Sequence, residues 1–308
     1  MDNEKWAIAT VCDKNFIRGT QTLFHSILHH NKNFQGDLII ICEEGFRKYE
    51  QLFNMFDHVT LHIVSESLKS AALKAVNSIR GRAGSHKLWY CLESFNLKGY
   101  DKILFLDSDI ICSGEMISLL EEVTTEEICA GHDRAWFIDK VRSHDTFELL
   151  DPDANDRNIR TISPTFNSGV MLIDGSFIDK GIYFDLIENI NTIPWSHTNG
   201  LNDQVIINQF FEGQIKPLSP RYNFITKLKN EIFSKSKVVM DDASFLHFVG
   251  APKPWYFVGY IKQLIRHQSN QFPVGHKLWI EAYLRFLKEH AYNMPLYLCL
   301  NILKRIIK

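Results

Sequence analysis

The sequence has 308 residues, of which 45% are hydrophobic and 23% are charged. These fractions are typical of a soluble globular protein and exclude an intrinsically disordered chain. Lysine and arginine together number 34 against 36 acidic residues, so the net charge is −2. This balance gives no sign of the basic face that nonspecific binding to nucleic acid requires, and we predict no nucleic-acid partner.

The N-terminus and the cysteines indicate a cytoplasmic protein. Residues Met1–Lys5 lack the apolar region of a signal peptide, and no apolar stretch approaches the roughly 18 residues that cross a bilayer. The six cysteines are scattered and form no CxxC pair. We therefore expect buried thiols in a reducing compartment, and neither a disulfide framework nor a zinc site.

Short apolar runs alternate with helical patterns over the first two-thirds of the chain. The apolar runs predict strands over Trp6–Val11, Leu38–Cys42, Val59–Val64, Lys102–Leu106, Ile128–Gly131 and Val170–Ile173. Between the first two, apolar residues at helical spacing predict a helix over Gly19–His30. This alternation predicts an α/β fold with a mostly parallel sheet, in which ligands bind at the carboxyl ends of the strands.

Two long connections each admit two interpretations. The polar connection Asp133–Pro164 is either a lid or part of an acceptor site, or else a solvated surface loop. The connection Pro220–Asp242 carries five lysine or arginine residues between Arg221 and Lys237. It is either a solvated face or a contact for a phosphate on an acceptor.

The C-terminal region is helical in pattern from His276 onward. Pro295 is suited to the first turn of a last helix that mixes leucine and isoleucine with lysine and arginine. This helix either lies on an anionic membrane surface or packs on the main domain. We predict a catalytic domain over residues 1–258 and a helical tail over residues 259–308, with possible peripheral membrane contact through the tail.

A histidine pair on the first helix has the spacing of a zinc site but lacks other ligands. His25 and His29 are four residues apart, so they share one helical face. No glutamate adjoins the first of them, and the sequence offers no third ligand in reach. We therefore expect both on the helix surface.

The strongest chemical signal is the sequence Asp107-Ser108-Asp109, which follows the apolar run Ile103–Leu106. Two carboxylates two residues apart at a strand end can turn toward one point, where their charges repel. A divalent cation relieves that repulsion, and oxygen ligands suit Mg²⁺ or Mn²⁺ when substrate phosphates complete the shell. The spacing alone is weak, because many such pairs are solvated turn residues.

Three later segments strengthen the metal interpretation. Asn167-Ser168-Gly169 precedes a buried apolar run, and Asn202-Asp203-Gln204 opens a helical stretch. The segment 245–255 contains His247, Gly250 and Lys253. An imidazole is a suitable third ligand for Mn²⁺, Gly250 allows close backbone approach to a phosphate, and Lys253 can neutralise one.

In this order the motifs resemble those of the family-eight glycosyltransferases, which include glycogenin and bacterial lipopolysaccharide galactosyl- and glucosyltransferases. The matching segments begin at Ala9-Thr10 and Lys87. They continue with Tyr100–Asp109, Phe166–Val170, Asp203-Gln204, His247–Gly250 and Lys253-Pro254-Trp255. The resemblance covers about residues 6 to 258. Lys87 belongs with Tyr100–Asp109, and His247–Gly250 belongs with Lys253-Pro254-Trp255, so the segments form five motifs, and five in order are far more specific than one.

The resemblance implies a GT-A fold, a UDP-hexose donor, Mn²⁺ with Mg²⁺ as an alternative, and retention of anomeric configuration. It also implies roles for individual residues. The metal ligands are Asp107, Asp109 and His247; the donor contacts are Ala9, Thr10, Val11, Phe16, Lys87, Ser108, Asp133, Asn167, Gly250 and Lys253; the residues near the anomeric carbon are Asp203 and Gln204. The implied acceptor is a glycan or a lipid-linked glycan such as a lipopolysaccharide core.

The residues leave the chemical route and two other functions open. Retention proceeds either through a covalent intermediate on Asp203 or by attack from the leaving-group face, and we favour the second because Gln204 is a poor nucleophile. A catalytically silent nucleotide-sugar-binding protein on the same fold is the alternative function. An inverting GT-A enzyme would need a carboxylate base near the acceptor and fits the motifs poorly.

Overall fold

A computed structural model describes residues 4–79, 85–120, 122, 127–138, 147–150, 159–162, 166–193, 195, 202–256 and 275–290. Its strands are β1 (Trp6–Val11), β2 (Asp37–Cys42), β3 (Val59–Ile63), β4 (Lys102–Leu106), β5 (Ile110–Cys112), β6 (Ile128–His132), β7 (Phe147–Leu150), β8 (Ile159–Ile162), β9 (Phe166–Asp174), β10 (Ile215–Pro217), β11 (Phe224–Ile225) and β12 (Phe245–His247). The six predicted strands are confirmed within a few residues at each end.

The α-helices are α1 (Ile17–His30), α2 (Glu66–Ser78), α3 (Ile117–Leu120), α4 (Arg134–Phe137), α5 (Ser176–Asp179), α6 (Ile182–Thr192), α7 (Asn202–Phe210), α8 (Lys229–Ser236) and α9 (His276–His290). Short 3-10 helices cover Glu44–Phe53, His86–Asn96, Pro220–Tyr222, Thr226–Leu228 and Met240–Asp242. The helix predicted from residue 19 begins two residues earlier, and the helical pattern from His276 is confirmed as far as His290.

The central sheet has seven strands in the order β10-β6-β9-β4-β1-β2-β3. Strand β1 pairs in parallel with β2 and with β4, and β2 pairs in parallel with β3. Along β4, Leu104 and Leu106 enter the hydrophobic core on one face, whereas Ile103 and Phe105 enter the core on the other. Burial on both faces explains why this strand is continuously apolar, as in other covered parallel sheets.

Strand β9 departs from the parallel arrangement because it runs antiparallel to both of its neighbours, β4 and β6. Its first residues therefore lie at the carboxyl end of β4. The main-chain N–H of Asp107 donates to the carbonyl of Gly169 at 2.8 Å, which fixes this register. The polar residues 167–169 consequently face the loop that carries the acidic pair.

A second sheet of three strands, in the order β11-β12-β5, lies next to that loop. Strand β12 pairs antiparallel with β5, so His247 lies opposite Ile110. The N–H of Phe248 donates to the carbonyl of Asp109 at 3.0 Å. The small sheet thus brings the histidine of the later motif beside the second aspartate of the earlier one.

Helix α9 packs on α1 and shares its hydrophobic core. His25 is buried, and its Nε2 lies 2.9 Å from Oε2 of Glu289. The expected surface position of His25 is therefore wrong, because α9 covers that face. Glu289 and His290 also bring ligand-type atoms within 4.8 Å of His25, which the sequence did not indicate. The division at residue 258 stays a prediction, and the last helix expected from Pro295 lies outside the described residues.

The cysteines within the described residues are buried and free, as the scattered spacing predicts. Burial is the largest cause that raises the pKa of these thiols. None of the helices that the structure describes is both long and apolar enough to cross a membrane.

The pH dependence of folding stability should include a contribution from His132. Its ring stacks between the rings of Trp136 and Phe166, with ring centroids 4.0 Å and 5.4 Å away. Its Nδ1 is buried without a hydrogen bond. Burial, with a smaller effect of Lys235, lowers the pKa of His132 to about 4. The unfolded chain binds this proton near pH 6.5 and the folded chain does not, so the free energy of unfolding falls as the pH drops from 6.5 toward 4.

We expect His132→Phe, which preserves the aromatic stack, to reduce this loss. Allowing for the partial exposure of the ring, the variant should lose less of its free energy of unfolding between pH 7 and pH 4.5 than the parent, by on the order of 1–2 kcal/mol. Urea unfolding of both proteins at pH 7 and pH 4.5 measures it. An equal loss of unfolding free energy in the parent and the variant would contradict the contribution assigned to His132.

Candidate active site

Three predicted metal ligands converge at the junction of the two sheets. Asp107 follows β4, Asp109 precedes β5, and His247 ends β12. The Nε2 atom of His247 lies 3.5 Å from Oδ2 of Asp107 and 3.3 Å from Oδ1 of Asp109. The ligand-type atoms of all three residues lie within 4.8 Å of one another.

The charges of this group are strongly coupled. Burial tends to raise the pKa of Asp109, but the positive charges of Lys253 and His247 hold it well below its usual range. Burial alone would lower the pKa of His247, yet Asp109 and Asp107 raise it to about 9. The imidazole thus lies in the negative potential of two carboxylates, and the same potential favours a divalent cation.

Asn223 orients the imidazole, and the sequence analysis missed it. Its Oδ1 lies 2.8 Å from Nδ1 of His247, and its Nδ2 donates to Oδ1 of Asn167 at 3.1 Å. A ligating histidine usually donates its other ring N–H to a fixed oxygen, which directs the free nitrogen toward the metal. Asn223 supplies that oxygen, but no local pattern marks it because it lies in an ordinary turn before β11.

The glycine of the Asn-Ser-Gly segment makes room for the metal ligands. A Cβ atom built on Gly169 would lie 2.4 Å from Cε1 of His247 and 2.7 Å from Oδ2 of Asp107. Distances below 3.0 Å are not tolerated by ordinary side chains. This position thus requires glycine for space and not for an unusual backbone angle.

Two lysines flank the acidic pair on different segments. The ammonium group of Lys253 donates to Oδ2 of Asp109 and, at 3.3 Å, to the carbonyl of Phe248. Lys87 lies farther along the site, with its Nζ 3.2 Å from Oδ2 of Asp13. Both lysines are thus positioned by carboxylates and carry the charge that a diphosphate would need.

Asp203 and Gln204 lie in the first turn of α7 and line the same cavity as Lys253. Burial raises the pKa of Asp203 to about 7, and the charge of Asp107 adds to this rise against the hydrogen bond from Ser168. The side chain of Gln204 donates to the carbonyl of Phe166 at 3.1 Å. Both side chains are therefore held in place by residues of β9.

A cavity of about 400 Å³ connects these groups. The predicted site residues that line it are Val11, Phe16, Lys87, Asp107, Ser108, Asp109, Asn167, Asp203, Gln204, His247, Gly250 and Lys253. Asp13, Cys91 and Ser168 also line it and were not predicted. The convergence of residues from so many segments identifies this cavity as the candidate active site.

Three predicted donor contacts do not line the cavity. Ala9 and Thr10 are fully buried beneath it, where the hydroxyl of Thr10 donates to Oγ of Ser108 at 3.4 Å and the hydroxyl of Ser108 donates to the carbonyl of Val11. Asp133 lies at the start of α4, next to segments outside the described residues. Contact of these three residues with a donor stays a prediction.

The residues present fit a divalent cation. Two carboxylates and one imidazole, with the imidazole fixed from behind by Asn223, form a ligand set suited to Mn²⁺ or Mg²⁺. Asp109 and His247 are almost completely buried, whereas the side chain of Asp107 is 43% exposed. One side of the set thus remains open to the cavity.

Comparisons with known proteins point to one family. The model of glycosyl transferase family 8 matches residues 7–259. The lipopolysaccharide 1,2-glucosyltransferase of Escherichia coli strain K12 is 24% identical over 81% of this chain and 72% of its own length. The lipopolysaccharide 1,3-galactosyltransferase of Salmonella typhimurium is 22% identical over 96% of this chain and 88% of its own.

Solved structures show the same fold. The galactosyltransferase LgtC, solved with donor and acceptor sugar analogues, has a TM-score of 0.58 at 14% identity and covers 90% of this chain and 95% of its own. The glycosyltransferase GlyE of Streptococcus pneumoniae has a TM-score of 0.58 at 19% identity over 93% of this chain. This chain spans 63% of the GlyE chain. These likenesses confirm the expected GT-A fold.

The order of the motifs, the architecture of the sheets and the family match over most of the sequence lead to one conclusion. This chain belongs to glycosyl transferase family 8.

Proposed function

We propose that this protein transfers a hexose, glucose or galactose, from a UDP-sugar to a glycan or lipid-linked acceptor such as a lipopolysaccharide core. The observation that carries the proposal is the meeting of Asp107, Asp109, His247 and Lys253 at one cavity. The names of the relatives support the hexose and the acceptor class.

The chain's own residues would stabilise the departing diphosphate. Negative charge grows on the phosphate next to the sugar as the bond breaks, and Lys253 places a fixed positive charge beside the acidic pair. A divalent cation held by Asp107, Asp109 and His247 would act as a Lewis acid on that charge. Lys87 supplies a second positive group in the lining of the cavity.

The same residues favour attack from the leaving-group face over a covalent intermediate. The carboxyl of Asp203 accepts hydrogen bonds from Ser168 and, at 3.8 Å, from the thiol of Cys91. Two donors on the same oxygen stabilise the charge of the carboxylate there, which weakens that oxygen as a nucleophile. We propose that Asp203 and Gln204 orient the donor and stabilise the positive charge that develops on the sugar.

The donor and the metal are tested by thermal unfolding with a panel of nucleotide sugars. We expect UDP-glucose or UDP-galactose to raise the melting temperature in the presence of Mn²⁺ and to have little effect without it, since a tight ligand stabilises by mass action. Slow release of UDP without acceptor separates an enzyme from a silent binding protein. Stabilisation by no nucleotide sugar would refute the proposal.

Retention of the anomeric configuration and the same-face route of attack are tested in separate experiments. Proton NMR of the product reports the anomeric configuration, and an inverted product would exclude the proposed stereochemistry. Mass spectrometry of the protein after incubation with donor reports any glycosyl adduct. An adduct on Asp203 would overturn the same-face route.

The basic residues at the end of the chain support an acceptor at a membrane surface. Residues 291–308 lie outside the described part of the structure, and the sequence there mixes apolar residues with Lys304, Arg305 and Lys308. Comparison of full-length protein with a variant lacking residues 294–308 on anionic liposomes tests this contact. Equal partitioning of the two would remove it.

A further inference from the structure

The basic connection between residues 220 and 242 is largely solvated, because Lys227, Lys229, Lys235 and Lys237 are exposed. Arg221 donates to Oγ of Ser244 at 3.3 Å, and Lys235 donates to the carbonyl of Trp136 at 2.6 Å. Lys237 donates to the carbonyl of Ser234 at 3.1 Å. Each of these residues is thus engaged by nearby protein groups.

Lys227 differs from them in its position. It follows β11, which pairs with β12 beside the metal ligand His247. A Cβ atom built on Gly250 would lie 3.1 Å from the Nζ of Lys227, and it would meet no other atom within 4 Å. Gly250 lines the cavity, so the ammonium group of Lys227 lies at the edge of the candidate active site.

In the part of the chain that the structure describes, Lys227 has no carboxylate in direct contact, although the nearby charge of Asp109 opposes the lowering of its pKa. Within the described residues its ammonium group has neither a hydrogen bond nor an ion pair, whereas that of Lys253 is paired with Asp109. Burial lowers the pKa of Lys227, and the positive charge of Lys253 lowers it further. The two lysines are therefore close enough to repel each other, and the main chain of residues 248–250 lies beside both.

The start of α9 closes this position from behind. A Cβ atom built on Gly275 would lie 2.8 Å from Cγ2 of Thr226 and 3.2 Å from Cε1 of Phe248. The first turn of the helix thus packs against the segment that carries Lys227. The N-terminal end of a helix carries a partial positive charge, which adds to the unbalanced positive potential here.

Gly250 leaves open space in front of the lysine. Its φ angle is +83°, and the absence of a side chain keeps the approach to its main chain free. A site with two ammonium groups, one carboxylate and open space is suited to an anion. Phosphoryl groups are the anions that the proposed reaction brings to this cavity.

We propose that Lys227, beside Gly250 at the edge of the cavity, forms a second phosphate-binding position of this enzyme, next to the one assigned above to Lys253. This inference rests on the proposed function and extends it. The ligand is a phosphoryl group, carried either by the donor diphosphate or by the acceptor. Lys227 is exposed at the edge of the cavity and not in its lining, which favours a phosphate on the acceptor.

The test uses Lys227→Met, with Lys229→Met as the matched control. Lys229 is an exposed lysine two residues farther along, at the start of α8, and has no contact with Gly250. Isothermal titration measures the binding of UDP and UMP with Mg²⁺, and then of inorganic phosphate to protein already saturated with UDP and Mg²⁺. Equal melting temperatures of the variants and the parent confirm that folding is unchanged.

We expect Lys227→Met to weaken at least one of these interactions about tenfold, and Lys229→Met to change none, since a charge-assisted hydrogen bond is lost only in the first. Weaker binding of UDP with unchanged UMP assigns the position to the donor. Weaker binding of phosphate alone assigns it to the acceptor. Lys227→Arg should restore most of the affinity in either case.

Unchanged binding of UDP and of phosphate by Lys227→Met would overturn the proposal. Failure of the proposed function would give a different result in the same titration, because the parent protein itself would then bind no UDP. Titration of phosphate in the absence of UDP would still test the lysine pair in that event.

Discussion

Replacement of Asp109 by asparagine should reduce metal-dependent binding of UDP by at least about a hundredfold. The change removes one of two carboxylates from the metal ligand set and deprives Lys253 of its ion-pair partner. A metal ion supplies several kcal/mol of charge stabilisation in such reactions, and about 1.4 kcal/mol corresponds to tenfold. We expect turnover of a UDP-sugar to fall by a factor on the order of 10²–10³, measured as UDP release at saturating Mn²⁺.

Two other variants make this result interpretable. Asp241→Asn changes an exposed aspartate of a 3-10 helix that is not part of the cavity lining and should leave UDP affinity unchanged. Asp107→Asn removes the more exposed carboxylate without disturbing Lys253 and should also abolish the response to metal. Retention of metal-dependent UDP binding by Asp109→Asn would show that these residues do not hold the ion.

Replacement of Gly169 by alanine should be nearly as damaging to metal binding, although no ligand is removed. The added methyl group would overlap His247 and Asp107, and both side chains would have to move. Changes that misplace metal ligands typically cost about 10–100-fold in affinity. We expect Mn²⁺ affinity, measured by titration calorimetry or electron paramagnetic resonance, to fall within that range.

The fold should tolerate this substitution better than the site does. The main-chain hydrogen bond between Gly169 and Asp107 does not involve the position of the methyl group, and overpacking costs about 1–3 kcal/mol. Gly45→Ala is the control, because a Cβ atom there meets nothing within 4 Å. Normal Mn²⁺ affinity in a folded Gly169→Ala protein would contradict the assigned ligand geometry.

Asn223 shows how a necessary residue can escape sequence analysis. Its side chain bridges His247 and Asn167, so it acts as a positioning residue for one predicted ligand and one predicted donor contact. An asparagine before a short strand has many ordinary roles in turns. Only the pairing of β11 with β12 places it behind the imidazole.

His25 illustrates the opposite error, in which a local pattern was interpreted without its neighbours. The helical spacing of His25 and His29 gave no sign of burial, and a surface position followed from the absence of nearby ligands in the sequence. Helix α9 covers His25 and brings Glu289 to its Nε2. The contact joins the two ends of the described chain, which no local pattern can predict.

The sequence by itself determined the positions of the strands, the acidic pair after β4 and the order of the motifs, because apolar periodicity and short-range spacing are local properties. Only the tertiary structure decided that β9 runs antiparallel to β4 and that β12 pairs with β5. A parallel β9 would have placed Asn167 and Gly169 at the opposite edge of the sheet from Asp107. Strand direction and long-range pairing depend on how the whole chain buries its faces. This is why the sequence could indicate the residues of the candidate metal site but not the strand pairings that bring them together.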